Sequence, residues 1–205
     1  GRNCSGSRLR GRALVLDNMH PWTAFVSYGV SMRISRVRVK NFRNLVAIDV
    51  PLAQHTVIVG ENRSGKSNLL HAMRLVLDNT LSADQRRLPP EDFWEGLSTA
   101  TSDPLSNGDV IEVSLEVTDF SEEAPVVATL GDALVSGDPL TARLTYRWEP
   151  DDLAEGKPVY RSRLYGGSDD RPVGTDVRDR LITVFMHALR DVESDVGNWR
   201  RSPLR

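Results

Sequence analysis

Eight consecutive residues, Gly60-Glu61-Asn62-Arg63-Ser64-Gly65-Lys66-Ser67, have the types and spacing to hold a chain of phosphates. In a Gly-x-x-x-x-Gly-Lys-Ser loop the two glycines let the backbone adopt conformations that a side chain would block. Successive amide N–H groups can then turn inward toward anionic oxygens. Lys66 would reach the β- and γ-phosphates, and the Ser67 hydroxyl would coordinate Mg²⁺. Glu61, Asn62, Arg63 and Ser64 contribute through their amides, and Asn68 continues the binding segment into the next element. A chance Gly, Gly, Lys and Ser/Thr at this spacing arises on the order of once in a hundred chains of this length. The chemistry implied is the binding of a nucleoside triphosphate, ATP, with Mg²⁺.

Such a loop works only between a strand and a helix. Before it lies the apolar run Thr56-Val57-Ile58-Val59, which predicts a central strand over 55–59. After it, Leu69, Leu70, Met73, Val76 and Leu77 recur at helical spacing, so a helix should open near Lys66 and offer its positive end to the phosphates. Two further strands are expected upstream. In the first, Ile34, Val37, Val39 and Phe42 form an apolar set with Arg36, Arg38 and Lys40 on the outer face; the second covers 45–50. Two strands ahead of the loop argue against the small-molecule kinases, whose P-loop follows the first strand.

A chain of 205 residues can bury a good-sized core. Its net charge of −2 does not advertise a nucleic-acid binder as a whole. The single Cys4 permits no internal disulfide and fits a reducing, cytoplasmic setting. No apolar run reaches the roughly 20 residues of a membrane helix, so no membrane partner is expected. Residues 1–31 carry four arginines against Asp17 alone, a charge of +3. They read as a leader outside the fold, with the domain proper at 32–205 beginning at Met32.

Beyond the helix, Leu88-Pro89-Pro90-Glu91-Asp92-Phe93-Trp94 cannot be a regular helix at its prolines. Phe93 and Trp94 are expected to pack on a neighbour rather than to stack on a base. Clean alternation over 111–118 and 140–148, with a third run over 159–165, predicts an antiparallel sheet beside the P-loop core, and a short helix falls within 121–134. Arg143/Arg147 and Arg161/Arg163 could touch DNA phosphates, with a solvated face as the preferred reading. A helix at 176–181 should lead into a buried strand, Leu181-Ile182-Thr183-Val184-Phe185. The loop after it holds His187 and Arg190, either of which could approach the γ-phosphate. Tyr165-Gly166-Gly167-Ser168 reads as a plain turn. No acid stands at the end of an apolar core strand to serve as the Mg²⁺-holding partner of the loop: Asp17 lies in the leader and Asp78 ends the P-loop helix. No catalytic residue is identified.

The stretch Met32-Arg33-Ile34-Ser35-Arg36-Val37-Arg38-Val39-Lys40-Asn41-Phe42-Arg43-Asn44-Leu45, followed by Val59 to Leu70, resembles the start of the RecF/SMC-type ABC ATPases. With Glu91-Asp92-Phe93-Trp94, Ala188-Leu189-Arg190-Asp191 and Trp199-Arg200-Arg201-Ser202-Pro203-Leu204, it most resembles the overcoming-lysogenisation-defect (OLD) family of ATP-dependent endonucleases. The resemblance runs from about Met32 to the end. It implies an α/β fold, the N-terminal part of a P-loop ABC-type ATPase head with an antiparallel β subdomain, reading as a truncated N-terminal lobe. It further implies ATP held between two protomers of a homodimer assembled through parts outside this chain, DNA as partner of the full-length protein, and Arg43 near the nucleotide. The Walker B acid, the signature loop and the nuclease carboxylates have no counterpart here. Two alternatives stand beside the endonuclease: a RecF- or SMC-like DNA repair ATPase without nuclease, and a regulatory module that binds nucleotide without hydrolysing it.

Overall fold

A computed structural model describes residues 25–26, 32–97, 103–151, 158–174, 176–181 and 184–185. Strand β1 is Phe25–Val26, followed by the long strand β2, Arg33–Phe42, and by β3, Leu45–Pro51. Helix α1 spans Lys66–Leu77, and a single 3₁₀ turn covers Pro90–Asp92. The short helix α2 (Pro104–Asn107) precedes strand β4 (Ile111–Thr118), and α3 (Ala124–Thr129) precedes β5 (Leu134–Gly137). Next come β6 (Leu140–Asp151), β7 (Val159–Gly166), β8 (Arg171–Pro172), α4 (Asp176–Arg180) and β9 (Val184–Phe185).

The upstream hairpin and the downstream alternating strands join in one antiparallel sheet. Its order is β3-β2-β4-β6-β7-β8, all neighbours antiparallel, with β5 also pairing β6. The junction is β2 on β4, where Val37 faces Leu115 and Val39 faces Val113. The apolar positions of β2 change phase between Ile34 and Val37, and the β2–β4 register slips there between Ile34 and Arg36. A bulge of this kind lets both apolar sets reach the same face.

That face is the core. Val37, Val39, Val113, Leu115, Leu144 and Tyr146 are fully buried, and α1 lies across β2, β4 and β6 with Ala72, Met73, Leu75 and Val76 inward. The helix exists because its apolar residues repeat at 3.6-residue spacing and the sheet gives them a surface to cover. Arg178 of α4, 5% exposed, donates from Nε to the Val76 carbonyl at 2.7 Å, close to the last turn of α1. Burial pushes this guanidinium down to about 10, and the exposed carbonyls of a helix C-terminus are where a cation is best tolerated.

The opposite face carries the charges, and they are paired. Across the register lie Lys40, Glu112, Arg147 and Arg163 in one row and Arg36, Glu116 and Arg143 in another. Glu116 receives Arg38 and Arg143, each at 2.8 Å, while Arg147 bridges Glu112 and Asp170. Asp151 receives Arg161 and Arg163 at 2.6 and 2.9 Å. The arginines considered for DNA phosphates are therefore engaged by carboxylates of their own sheet, as a solvated face requires.

The strand expected over 55–59 does not form. That segment pairs with no strand among the described residues, and Val57 and Val59 are 80% and 81% exposed. An apolar run is not enough for a strand, which also needs a neighbour to accept its hydrogen bonds. The second upstream strand, the helix, the three alternating strands and the turn after β7 lie where the sequence puts them. Phe25–Val26, inside the stretch read as a leader, pairs antiparallel with Val184–Phe185. Cys4, Asp17, His187, Arg190 and the 199–204 motif lie outside the described residues. No helix among the described residues is long and apolar enough to cross a membrane.

Candidate nucleotide site

The Gly60–Ser67 loop leads straight into α1, whose N-cap is Gly65 at φ 97° and ψ 4°. This left-handed conformation is the one a glycine adopts without strain. No side chain caps the helix and no acid occupies its first turn, where the first backbone N–H groups lie beyond the reach of intrahelical carbonyls. Helix formation proper begins with the Leu69 N–H donating to the Gly65 carbonyl at 2.8 Å. A helix start left open in this way presents donors and a partial positive charge to an anion.

The lysine folds back over its own loop. Lys66 Nζ donates to the Gly60 carbonyl at 2.7 Å, to the Glu61 carbonyl at 2.5 Å and to Ser64 Oγ at 3.3 Å. Gly60 has an ordinary φ, and its requirement is space: a Cβ there would stand 2.8 Å from Ser64 Oγ and 3.9 Å from Lys66 Cδ. The hollow of the loop is thus lined by Ser64 and Lys66 and would be filled by one methyl group. Arg63 takes a left-handed φ of 69°, and the Ser67 side chain lies at the exposed start of the helix.

Arg43 sits on the turn joining β2 and β3, and that turn is seated against the loop. Its Nη1 donates to Asn68 Oδ1 at 2.9 Å and its Nε to Asp92 Oδ1 at 2.7 Å. Asn68 Nδ2 donates to Asn44 Oδ1 at 2.8 Å, and Asn44 Nδ2 reaches the Arg63 carbonyl at 3.4 Å. Arg43 also lies 4.9 Å from the centre of the Phe42 ring, against whose other surroundings His71 of α1 packs edge-on at 5.6 Å. Burial, the Arg43 charge and, more weakly, Arg74 hold His71 below its ordinary range, with Asp92 opposing them.

Sequence reasoning passed over Asn44 and Asp92. Both are near signals it had noted, in the strings 41–45 and 91–94, but pairing across 24 and 49 positions is decided only by the fold. Phe93 is 3% exposed, bridges to Phe42 and meets the Tyr160 ring at 6.2 Å, so it packs in the core. Asp78 ends α1, its carboxyl held below the usual range: burial raises it, but hydrogen bonds from Thr80 and Arg74 prevail. Among the described residues no cluster of three or more His, Cys, Asp or Glu could hold a metal ion.

These features define a P-loop ATPase fold, and comparison with known proteins agrees. Residues 32–124 match the family described as AAA ATPase domain. It is 29% identical over 174 residues to the OLD nuclease of Thermus scotoductus, covering 83% of this chain and 29% of that protein. Over 50 residues it is 40% identical to Endonuclease GajA of Bacillus cereus, covering 24% of this chain and 9% of that one. A solved structure from work on ATP-driven dimerization and DNA-stimulated activation of SMC ATPases superposes with a TM-score of 0.45 at 22% identity, over 71% of this chain and 75% of the other. The chain spans under a third of the length of these two curated relatives.

Proposed function

We propose that the chain is the ATP-binding part of an ATP-dependent DNA endonuclease, in which nucleotide occupancy gates a cleavage carried out elsewhere in the whole protein. Residues Gly60, Glu61, Asn62, Arg63, Ser64, Gly65, Lys66, Ser67 and Asn68 would hold the triphosphate, with Ser67 on Mg²⁺ and Arg43 as a side contact. The observation that carries this reading is the Gly65–Lys66 junction: a left-handed glycine opens an uncapped helix, and the ammonium beside it rests on loop carbonyls. Those carbonyls are weak partners for a cation compared with phosphate oxygens, so the lysine can exchange one for the other. Mg²⁺ bound there would neutralise phosphate charge. Action on DNA, pairing of two protomers and a cytoplasmic setting belong to the same proposal, on the strength of the similarity to OLD nuclease and GajA.

The test is thermal or urea unfolding of the 205-residue chain with Mg-ATP. At about 100 times its dissociation constant, ATP should stabilise the fold by roughly 2.7 kcal/mol. Lys66→Ala should remove that stabilisation. An unchanged unfolding curve of the unsubstituted chain with ATP would count against the nucleotide site.

A further inference from the structure

The turn that carries Arg43 is in a costly conformation and is held there from outside. Asn41 and Arg43 both have left-handed φ, 61° and 51°, although neither is glycine. Such backbone is strained and persists where surrounding bonds enforce it. The enforcing segment is the Pro90–Asp92 turn and its continuation. Arg43 N–H donates to the Asp92 carbonyl at 2.8 Å, and Trp94 N–H donates to the Asn41 carbonyl at 3.0 Å. The Asp92 side chain, on a residue only 9% exposed, then accepts Arg43 Nε at 2.7 Å.

We infer that Asp92 is a positioning residue for the nucleotide site. Resting on the ATP-binding reading above, it fixes the Arg43 guanidinium against the first turn of α1. The relay continues through Asn68 and Asn44 to the Arg63 carbonyl inside the phosphate loop. With Nε on Asp92 and Nη1 on Asn68, the remaining guanidinium nitrogen, Nη2, has no hydrogen bond among the described residues. It is the donor with which Arg43 meets an oxygen of the bound nucleotide. A planar guanidinium pinned at two of its three nitrogens has its third aimed, which a lysine at 43 could not reproduce. Asp92 does this without touching the ligand. Its neighbour Glu91 is exposed and takes no part.

The experiment is a double-mutant cycle on Mg-ATP affinity in the 205-residue chain, with Asp92→Asn, Arg43→Met and the pair. Asp92→Asn should weaken binding about tenfold, and Arg43→Met by a similar factor. The pair should be no more than about twofold weaker than Arg43→Met alone, because coupled residues do not add. Asp92→Glu should recover most of the affinity. Melting of Asp92→Asn within about 2 °C of the parent would separate aim from stability. An unchanged dissociation constant for Asp92→Asn, or full additivity in the pair, would overturn the inference while leaving the ATP site intact. Absence of Mg-ATP binding by the unsubstituted chain would instead remove the site itself. Should Asp92→Asn fail to fold, Asn68→Ala cuts the relay from the α1 side. A severalfold loss of affinity is then expected, and no loss would overturn the inference.

Discussion

The carboxamide of Asn44 occupies the space that a side chain on Gly65 would need: a Cβ built there would lie 2.8 Å from Nδ2 and 2.9 Å from Oδ1. The β2–β3 turn and the phosphate loop are therefore in van der Waals contact at the residue that opens α1. Gly65→Ala should fail twice, by contact and by its φ of 97°. A loss of about 2–3 kcal/mol in urea unfolding is expected, together with loss of ATP binding. Adding Asn44→Ala should restore only the contact part, leaving the backbone strain.

His71 gives a pH dependence. Burial is the largest influence keeping its folded value low, with Arg43 and Arg74 adding and Asp92 opposing. Above the ordinary histidine value both folded and unfolded chains hold it neutral, and no effect arises. As pH falls through that value the unfolded chain takes up the proton first, so stability falls, and the loss is complete below the folded value. Unfolding free energy measured between pH 7.5 and 5 should drop less in His71→Gln than in the parent.

Glu116 joins two basic strands. Burial disfavours its carboxylate, but hydrogen bonds from Arg38 and Arg143 outweigh that and keep it below the ordinary range. Glu116→Gln would leave both arginines facing each other across β4, at a cost of about 1–2 kcal/mol in chemical unfolding. The contribution should disappear in acid as pH falls through the folded value, since a depressed carboxyl stabilises only while ionised.

Arg178→Met should cost about 2–3 kcal/mol, because it strips the Val76 and Leu75 carbonyls of their donors, at 2.7 and 3.4 Å, near the end of α1. Differential scanning calorimetry with and without ATP would show a lower melting temperature in both cases. An equal shift in the two would place the effect in the fold rather than the site.

Val57→Thr and Val59→Thr should each change stability of the chain by less than about 0.5 kcal/mol, since both side chains are four-fifths exposed. A loss above 2 kcal/mol would mean that the 55–59 segment is covered.

Local pattern carried most of the fold. The alternation at 111–118 and 140–148 gave its strands because one face of each is fully apolar, and Leu69, Met73 and Val76 gave α1 because helical spacing puts them on one side. The same logic failed at 55–59, where Val57 and Val59 satisfy a strand pattern yet meet no partner strand among the described residues.

By itself the sequence determined the Gly-x-x-x-x-Gly-Lys-Ser loop and the helix after it: glycine at 65 opens α1 in a left-handed conformation, and lysine at 66 and serine at 67 follow in the same eight adjacent residues. The tertiary structure alone decided what holds that loop. Asn44 against Gly65, Asp92 on Arg43 and the union of β2 with β4 in one sheet join residues 21, 49 and about 75 positions apart. No periodicity encodes such distances, because they are set by which faces bury together once the chain has collapsed.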